Sequence, residues 1–256
     1  MKFGVCASID QAGIVKKAGF DFIECTVVSL RPEEGDDAVR VLLDKYHESP
    51  IPVEAFNILL PRDLKIVGEN VDDDRVKRYL EKALERVKAV GGEMIVFGSG
   101  GSRTLPDGFS RVKGEEQILH FLNIIADFAD PLGITIVIEP LNTTESNIIN
   151  SVPEAVHFAR MVNRKSIRVL ADFYHMYKEN EPLEKIVLYQ EWIKHIHVSD
   201  SRYAPGMGDY PYETFVDCVN RGHYDARISI ECLWSNFEQE TAQSRMYLHR
   251  LFEAGR

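Results

Sequence analysis

The sequence has only four cysteines, Cys6, Cys25, Cys218 and Cys232, and no CxxC pair, so neither a disulfide framework nor a structural zinc spacing is expected. No apolar run approaches the roughly 20 residues needed to cross a bilayer. The apolar stretch in "MKFGVCASID" is too short for the core of a signal peptide. Positive charge is not in excess: 30 Lys and Arg against 40 Asp and Glu leave a formal net charge of -10, which disfavours binding to a phosphate backbone. No GxGxxG follows the first apolar run, and no Pro-, Gly- or Ser-rich linker divides the chain. These absences set the expectation of a single cytoplasmic domain with reduced thiols and neither a nucleic-acid nor a membrane partner.

What remains is ordinary globular material: 256 residues, 45% hydrophobic and 27% charged. Short β-rich apolar runs alternate with longer segments of helical period, the mark of βα units and a parallel sheet. The runs are Lys2 to Ala7, Asp21 to Thr26, Val53 to Leu59, Glu93 to Gly98, Ile134 to Pro140, Ile167 to Phe173, Ile193 to Ser199 and Arg227 to Leu233. The clearest helix lies between Asp72–Asp74, which suit the positive end of its dipole, and Gly91–Gly92, with Val76, Leu80, Ala83, Leu84, Val87 and Val90 on one face. Others are expected over Ile9 to Ala18, Glu33 to Glu48, Gly114 to Leu132, Val152 to Val162, Leu183 to Tyr189, Tyr212 to Arg221 and Glu238 to Phe252. Eight strands, each followed by a helix, close most naturally as an α/β (β/α)8 TIM barrel, a single domain over residues 1–256.

Parallel barrel strands are covered on both faces and should read as almost continuous apolar runs. Polar interruptions therefore carry information. Glu139 ends "ITIVIEP", Asp172 ends "RVLADF", His197 lies in "HIHVSDS" and Glu231 in "ISIECLW". In a barrel these four residues meet at the carboxyl rim, where active sites are built. Ionised carboxylates about 4 Å apart repel by on the order of 4 kcal/mol at an effective dielectric near 20, so a cation is expected among them. Taken singly, each residue could equally be an ion-pair partner. Three oxygen donors with one imidazole suit Mn²⁺, Mg²⁺ or Co²⁺ better than structural zinc, and catalytic Zn²⁺ is a further option.

The same four residues, in that order and spacing, resemble the sugar isomerases and epimerases of the xylose isomerase-like TIM-barrel superfamily, above all the ketose 3-epimerases of the D-tagatose and D-psicose type. The resemblance covers nearly the whole chain. It implies one divalent metal, usually Mn²⁺, held by Glu139, Asp172, His197 and Glu231. It also makes Glu139 and Glu231 the acid/base pair that removes a proton α to a carbonyl and returns it, through a metal-stabilised enediolate. Glu145 and His175 match family residues that contact substrate oxygens, and Arg202 matches a family arginine with one residue deleted. Relatives are often dimers or tetramers, and the implied partner is a small sugar or sugar phosphate.

Beyond the resemblance, Asn57 and Glu24 end strands and are expected to contact substrate hydroxyls or neighbouring loops. Arg103, in the glycine-rich "FGSGGSRTLPDG", is expected to neutralise a substrate phosphate, and Arg62 and Lys65 in "LLPRDLKIVG" to act likewise. The opposing reading is a loop with solvated charges. His195 shares a strand face with His197 but lies deeper, so it is expected to support the metal site from below. Phe109, Tyr174, Tyr203 and Trp234 are expected to wall the substrate, and Asp200 and Asp209 to orient His197 or Arg202 or to cap turns. Alternative functions are an inosose dehydratase-like lyase on the same metal set, an endonuclease IV-like DNA repair enzyme and a noncatalytic sugar-binding barrel. The repair enzyme needs rim histidines that "DSRYAPGMGD" does not supply.

Overall fold

The computed structural model of the chain describes residues 1–254. Its strands are β1 (Lys2–Cys6), β2 (Phe22–Thr26), β3 (Val53–Asn57), β4 (Met94–Phe97), β5 (Thr135–Ile138), β6 (Ile167–Asp172), β7 (Ile193–Val198) and β8 (Arg227–Ile230). Each pairs in parallel with the next, and β8 returns to β1, closing a single-domain (β/α)8 TIM barrel. Around it run α1 (Ala12–Lys17), α2 (Asp36–His47), α3 (Asp73–Ala89), α4 (Gly100–Arg103), α5 (Arg111–Leu132), α6 (Val152–Val162), α7 (Phe173–Lys178), α8 (Glu184–Leu188), α9 (Tyr212–Arg221) and α10 (Phe237–Ala254). No helix among the described residues is long and apolar enough to cross a membrane.

The helix ends follow local chemistry. The Asp72 side chain accepts from the Arg75 amide at 2.9 Å to start α3, and Gly91 takes a φ of +91° just beyond its end. Two helices lie where the sequence reads as loop. α4 sits inside the glycine-rich segment, entered through Ser99 at a left-handed φ of +42°. α7 begins directly after β6 because the Asp172 carboxylate accepts from the His175 amide at 3.0 Å.

Strand alternation divides the core. One set of side chains, including Val5, Ile23, Phe56, Ile95, Ile136, Val169, Ile196 and Ile228, belongs to the large apolar layer shared with the helices. A separate cluster, Phe22, Ala55, Met94, Val96, Val137 and Leu170, fills the barrel interior. Phe22, Ala55, Val137 and Leu170 stand two residues before Glu24, Asn57, Glu139 and Asp172, so the same inward face carries packing below and polar groups at the rim. Gly4 makes room for this plug, since a Cβ there would collide with the Phe22 ring. Glu139 and Glu231 fall one residue past their paired strands, yet their amides still bond to Phe97 O at 3.1 Å and Val198 O at 3.0 Å. They are thereby fixed to the sheet although they count as loop.

Candidate metal centre and active site

The structure brings Glu139, Asp172, His197 and Glu231 together, with one ligand-type atom from each within 4.8 Å of the others. His197 Nδ1 lies 3.3 Å from Glu139 Oε1, 3.8 Å from Glu231 Oε2 and 3.9 Å from Asp172 Oδ2. Three of the four donors, Asp172, His197 and Glu231, are aimed by a partner behind them. The other oxygen of Asp172 caps α7. His197 Nε2 donates to Glu24 Oε1 at 2.9 Å, which fixes a proton on Nε2 and faces Nδ1 toward the carboxylates; against the downward pull of burial, Glu24 raises the ring's pKa in the metal-free protein, so a cation at Nδ1 would take the place of a proton.

This arrangement fits a divalent cation. The buried atoms His197 Nδ1 and Glu139 Oε1 face each other with no hydrogen-bond partner, and a buried polar atom left unpaired is costly. Three carboxylates and one imidazole form a donor set for a hard or borderline ion. The separations of 3.3–3.9 Å from His197 Nδ1 lie between the about 3.0 Å of adjacent and the about 4.2 Å of opposite ligands of an octahedral ion bound at about 2.1 Å. The electrostatics agree: burial, and then the charge of Glu231, push Asp172 up to about 6. Burial likewise raises Glu139, with Glu231 and Asp172 adding to it and His197 opposing. An added positive charge relieves both.

Glu24 has a different place from the one its sequence position suggests. It is fully buried and does not face substrate. Its carboxylate takes His197 on one oxygen, and on the other His195 Nε2 at 2.8 Å and the Ser229 hydroxyl at 2.6 Å. Burial alone would raise its pKa, but the two imidazoles override this and hold it well below the usual carboxylate range. His195 is thus a supporting residue beneath the rim, as its depth in the strand implies. It is kept neutral because burial lowers its pKa.

Above the cluster opens a cavity of about 610 Å³ lined by Asn57, Glu139, Glu145, His175, Arg202 and Glu231, among others. His175 Nδ1 accepts from the Asn142 amide at 3.0 Å, so its Nε2 carries the proton. Burial lowers the pKa of His175 and favours this neutral form. Arg202 links Glu231 at 2.8 Å to Glu145 at 2.9 Å and lies with its guanidinium carbon 4.2 Å from the Tyr174 ring centroid. Ser201 and Arg202 both take left-handed φ values, +56° and +69°. These two turns bring the arginine back over the rim and reconcile it with its shifted spacing. Asn57 donates to Glu231 at 3.3 Å. Asp200 caps the turn after β7, accepting from Gly208 at 2.7 Å. Of the expected aromatic wall, Tyr174 backs Arg202, Trp234 packs edge-on to Phe237 at 5.3 Å, and Tyr203 is exposed.

Arg103 overturns its expectation. It is 0% exposed, and its guanidinium turns away from the cavity to the carbonyls of Phe97 at 2.9 Å and Glu139 at 2.7 Å. The Phe97 carbonyl already takes the Glu139 amide, so Arg103 is its second donor, whereas the Glu139 carbonyl, one residue past β5, is satisfied by this arginine. Burial lowers its pKa to about 10. Arg103→Met therefore leaves the buried Glu139 carbonyl empty, and the denaturation midpoint should report a loss of roughly 1–3 kcal/mol. Wild-type stability with weakened binding of a phosphorylated sugar would restore the phosphate role.

Comparison with known proteins gives the family: the one described as xylose isomerase-like TIM barrel matches residues 13–251. The chain belongs to that family. Among curated members, it is 25% identical over 175 residues to the 3-dehydro-D-guloside 4-epimerase of Escherichia coli K12, covering 64% of this chain and 67% of that one. It is 36% identical over 112 residues to the D-psicose 3-epimerase of Agrobacterium fabrum, covering 43% of this chain but only 39% of that one. A D-psicose 3-epimerase crystal structure determined in the presence of D-fructose superposes with a TM-score of 0.85 over 100% of both chains at 19% identity, which shows a shared fold. This xylose isomerase-like barrel thus carries its carboxylate–imidazole cluster on the last four strands or just beyond them.

Proposed function

We propose that this protein is a metal-dependent sugar isomerase or epimerase that acts on a ketose or ketose phosphate, with Mn²⁺ the first choice of ion. One observation carries the reading: two carboxylates, Glu139 after β5 and Glu231 after β8, approach one imidazole nitrogen from strands separated by β6 and β7. That placement lets one carboxylate take a proton from a carbon next to a carbonyl while the other delivers one from the opposite side. In the metal-free site burial raises the pKa of Glu139, with Glu231 and Asp172 adding to it. A divalent ion held by Glu139, Asp172, His197 and Glu231 would supply a Lewis acid for charge developing on the sugar's oxygens.

The other residues bind and orient. His175 presents an Nε2 proton 3.4 Å from Arg202 Nη2, a pair of donors for adjacent sugar oxygens. Glu145 offers acceptor oxygens and is held ionised by Arg202, against the upward push of burial. Asn57 Oδ1 is buried without a partner at the same rim and can accept from a hydroxyl. Relatives named as 3- and 4-epimerases of ketoses and of a dehydroguloside support the reaction class. The test is a panel of ketoses and ketose phosphates incubated in heavy water with the Mn²⁺-loaded protein, read by deuterium at the carbon beside the carbonyl. Incorporation that disappears on chelation and returns with Mn²⁺ is expected. A panel with no incorporation at any member, Mn²⁺ present, removes the proposal.

A further inference from the structure

The cavity above the cluster joins a second one of about 560 Å³, and the two share Asn57, Ile58 and Glu231. Five cationic side chains line the pair: Arg62, Lys65 and Arg202 in the first, Arg31 and Lys45 in the second. Three of them are neutralised by carboxylates: Arg202 by Glu231 and Glu145, Lys45 by Asp10 at 2.9 Å, and Arg31 by Glu34 at 3.5 Å. Arg62 and Lys65 form no ion pair with any described residue. Asp63, the carboxylate between them in sequence, is taken by Arg75 at 2.7 Å. Lys65 donates only to the Gly101 carbonyl. In a chain of net charge -10, two unneutralised cations on one wall of an acidic cavity stand out.

Their distance from the cluster is bounded by the glycine-rich loop. A Cβ on Gly98 would collide with Glu139 Oε2, and one on Gly101 would lie 3.0 Å from Arg62 Cγ. The loop thus touches the ligand carboxylate at one end and the Arg62 stem at the other. Three residues span at most roughly 10 Å, and the turn into α4 shortens this. A span within that bound can accommodate a six-carbon sugar with its carbonyl at the cluster and its far end toward the Arg62 stem. Glycine at both positions keeps the floor between them low.

We infer that the substrate carries an anionic group, a phosphate monoester or a carboxylate, at the end remote from the metal cluster, and that Arg62 and Lys65 bind it. Arg62 offers a fork of donors that matches either anion, and Lys65 adds a point charge. The sugar's identity rests on the function proposed above, but the anion site is tested by affinity alone. Calorimetry with the Mn²⁺-loaded protein compares D-fructose, D-fructose 6-phosphate and D-fructuronate. One of the two anions should bind on the order of tenfold or more tighter than D-fructose, the effect of a single charge-assisted hydrogen bond, and which one does so separates phosphate from carboxylate. Arg62→Gln and Lys65→Gln should each reduce that preference, and the double variant should remove it with D-fructose affinity and melting temperature unchanged. Equal affinity for all three sugars, or a preference that survives in the double variant, overturns the inference. Deuterium incorporation without anion preference leaves the reaction standing and removes this site; anion preference without incorporation does the reverse.

Discussion

Glu139→Gln and Glu231→Gln should each cut deuterium incorporation at the carbon beside the carbonyl by about 10²- to 10⁴-fold, the usual contribution of a positioned acid or base. Glutamine keeps the shape of the side chain and removes its ability to exchange a proton. Stability separates this from damage to the fold. Glu139 is a buried carboxyl whose ionised form is opposed by burial and by the charges of Glu231 and Asp172. Neutralising it removes that repulsion, so the metal-free melting temperature should stay the same or rise. Full incorporation by both variants would exclude the two glutamates from the chemistry. A fall in melting temperature together with lost incorporation would mean that the carboxylates hold the rim together instead.

Replacement of Glu24 has the second large effect, and it falls on both metal and fold. Glu24→Ala strands three buried donors, the Nε2 atoms of His195 and His197 and the Ser229 hydroxyl. Breaking a buried charged network of this kind costs about 3–5 kcal/mol. Glu24→Gln is the sharper probe, because it preserves volume and still offers one acceptor. It can no longer accept from both rings, so the proton on His197 is no longer fixed to Nε2. Loss of such an orienting partner typically weakens metal affinity by about 10- to 100-fold. A Mn²⁺ titration followed by electron paramagnetic resonance measures it. Unchanged affinity in Glu24→Gln would mean that the His197 ring is held by packing alone.

The barrel and its cluster are legible in the sequence for one reason. A strand covered on both faces tolerates polar groups only where the structure has a use for them, so Glu139, Asp172, His197 and Glu231 show up as breaks in apolar runs. Glu24 breaks its run in the same way, but its partners lie 171 and 173 residues away. Nothing local tells whether such a carboxylate faces a ligand or an imidazole. The pairing of β2 with β3 also shifts register beside Glu24, after Ile23, which no periodicity reveals. Arg103 misleads because arginine among glycines reads as solvated. Its burial depends on the carbonyls of Phe97, Glu139 and Ile149, which converge only in the folded chain. α4 and α7 are hidden for a related cause. One is rich in glycine, and the other starts from a carboxylate that also belongs to the cluster.

The apolar plug of Phe22, Ala55, Met94, Val96, Val137 and Leu170 makes the vessel a cup with one opening. Whatever enters leaves by the route it came, past the side chains that handle it. A hydrogen lifted from the sugar has nowhere to drain while the mouth is occupied, so it tends to go back to the carbon it left. Inverted sugar, finished from the other side, carries the solvent's isotope, whereas sugar recovered unconverted keeps most of its own.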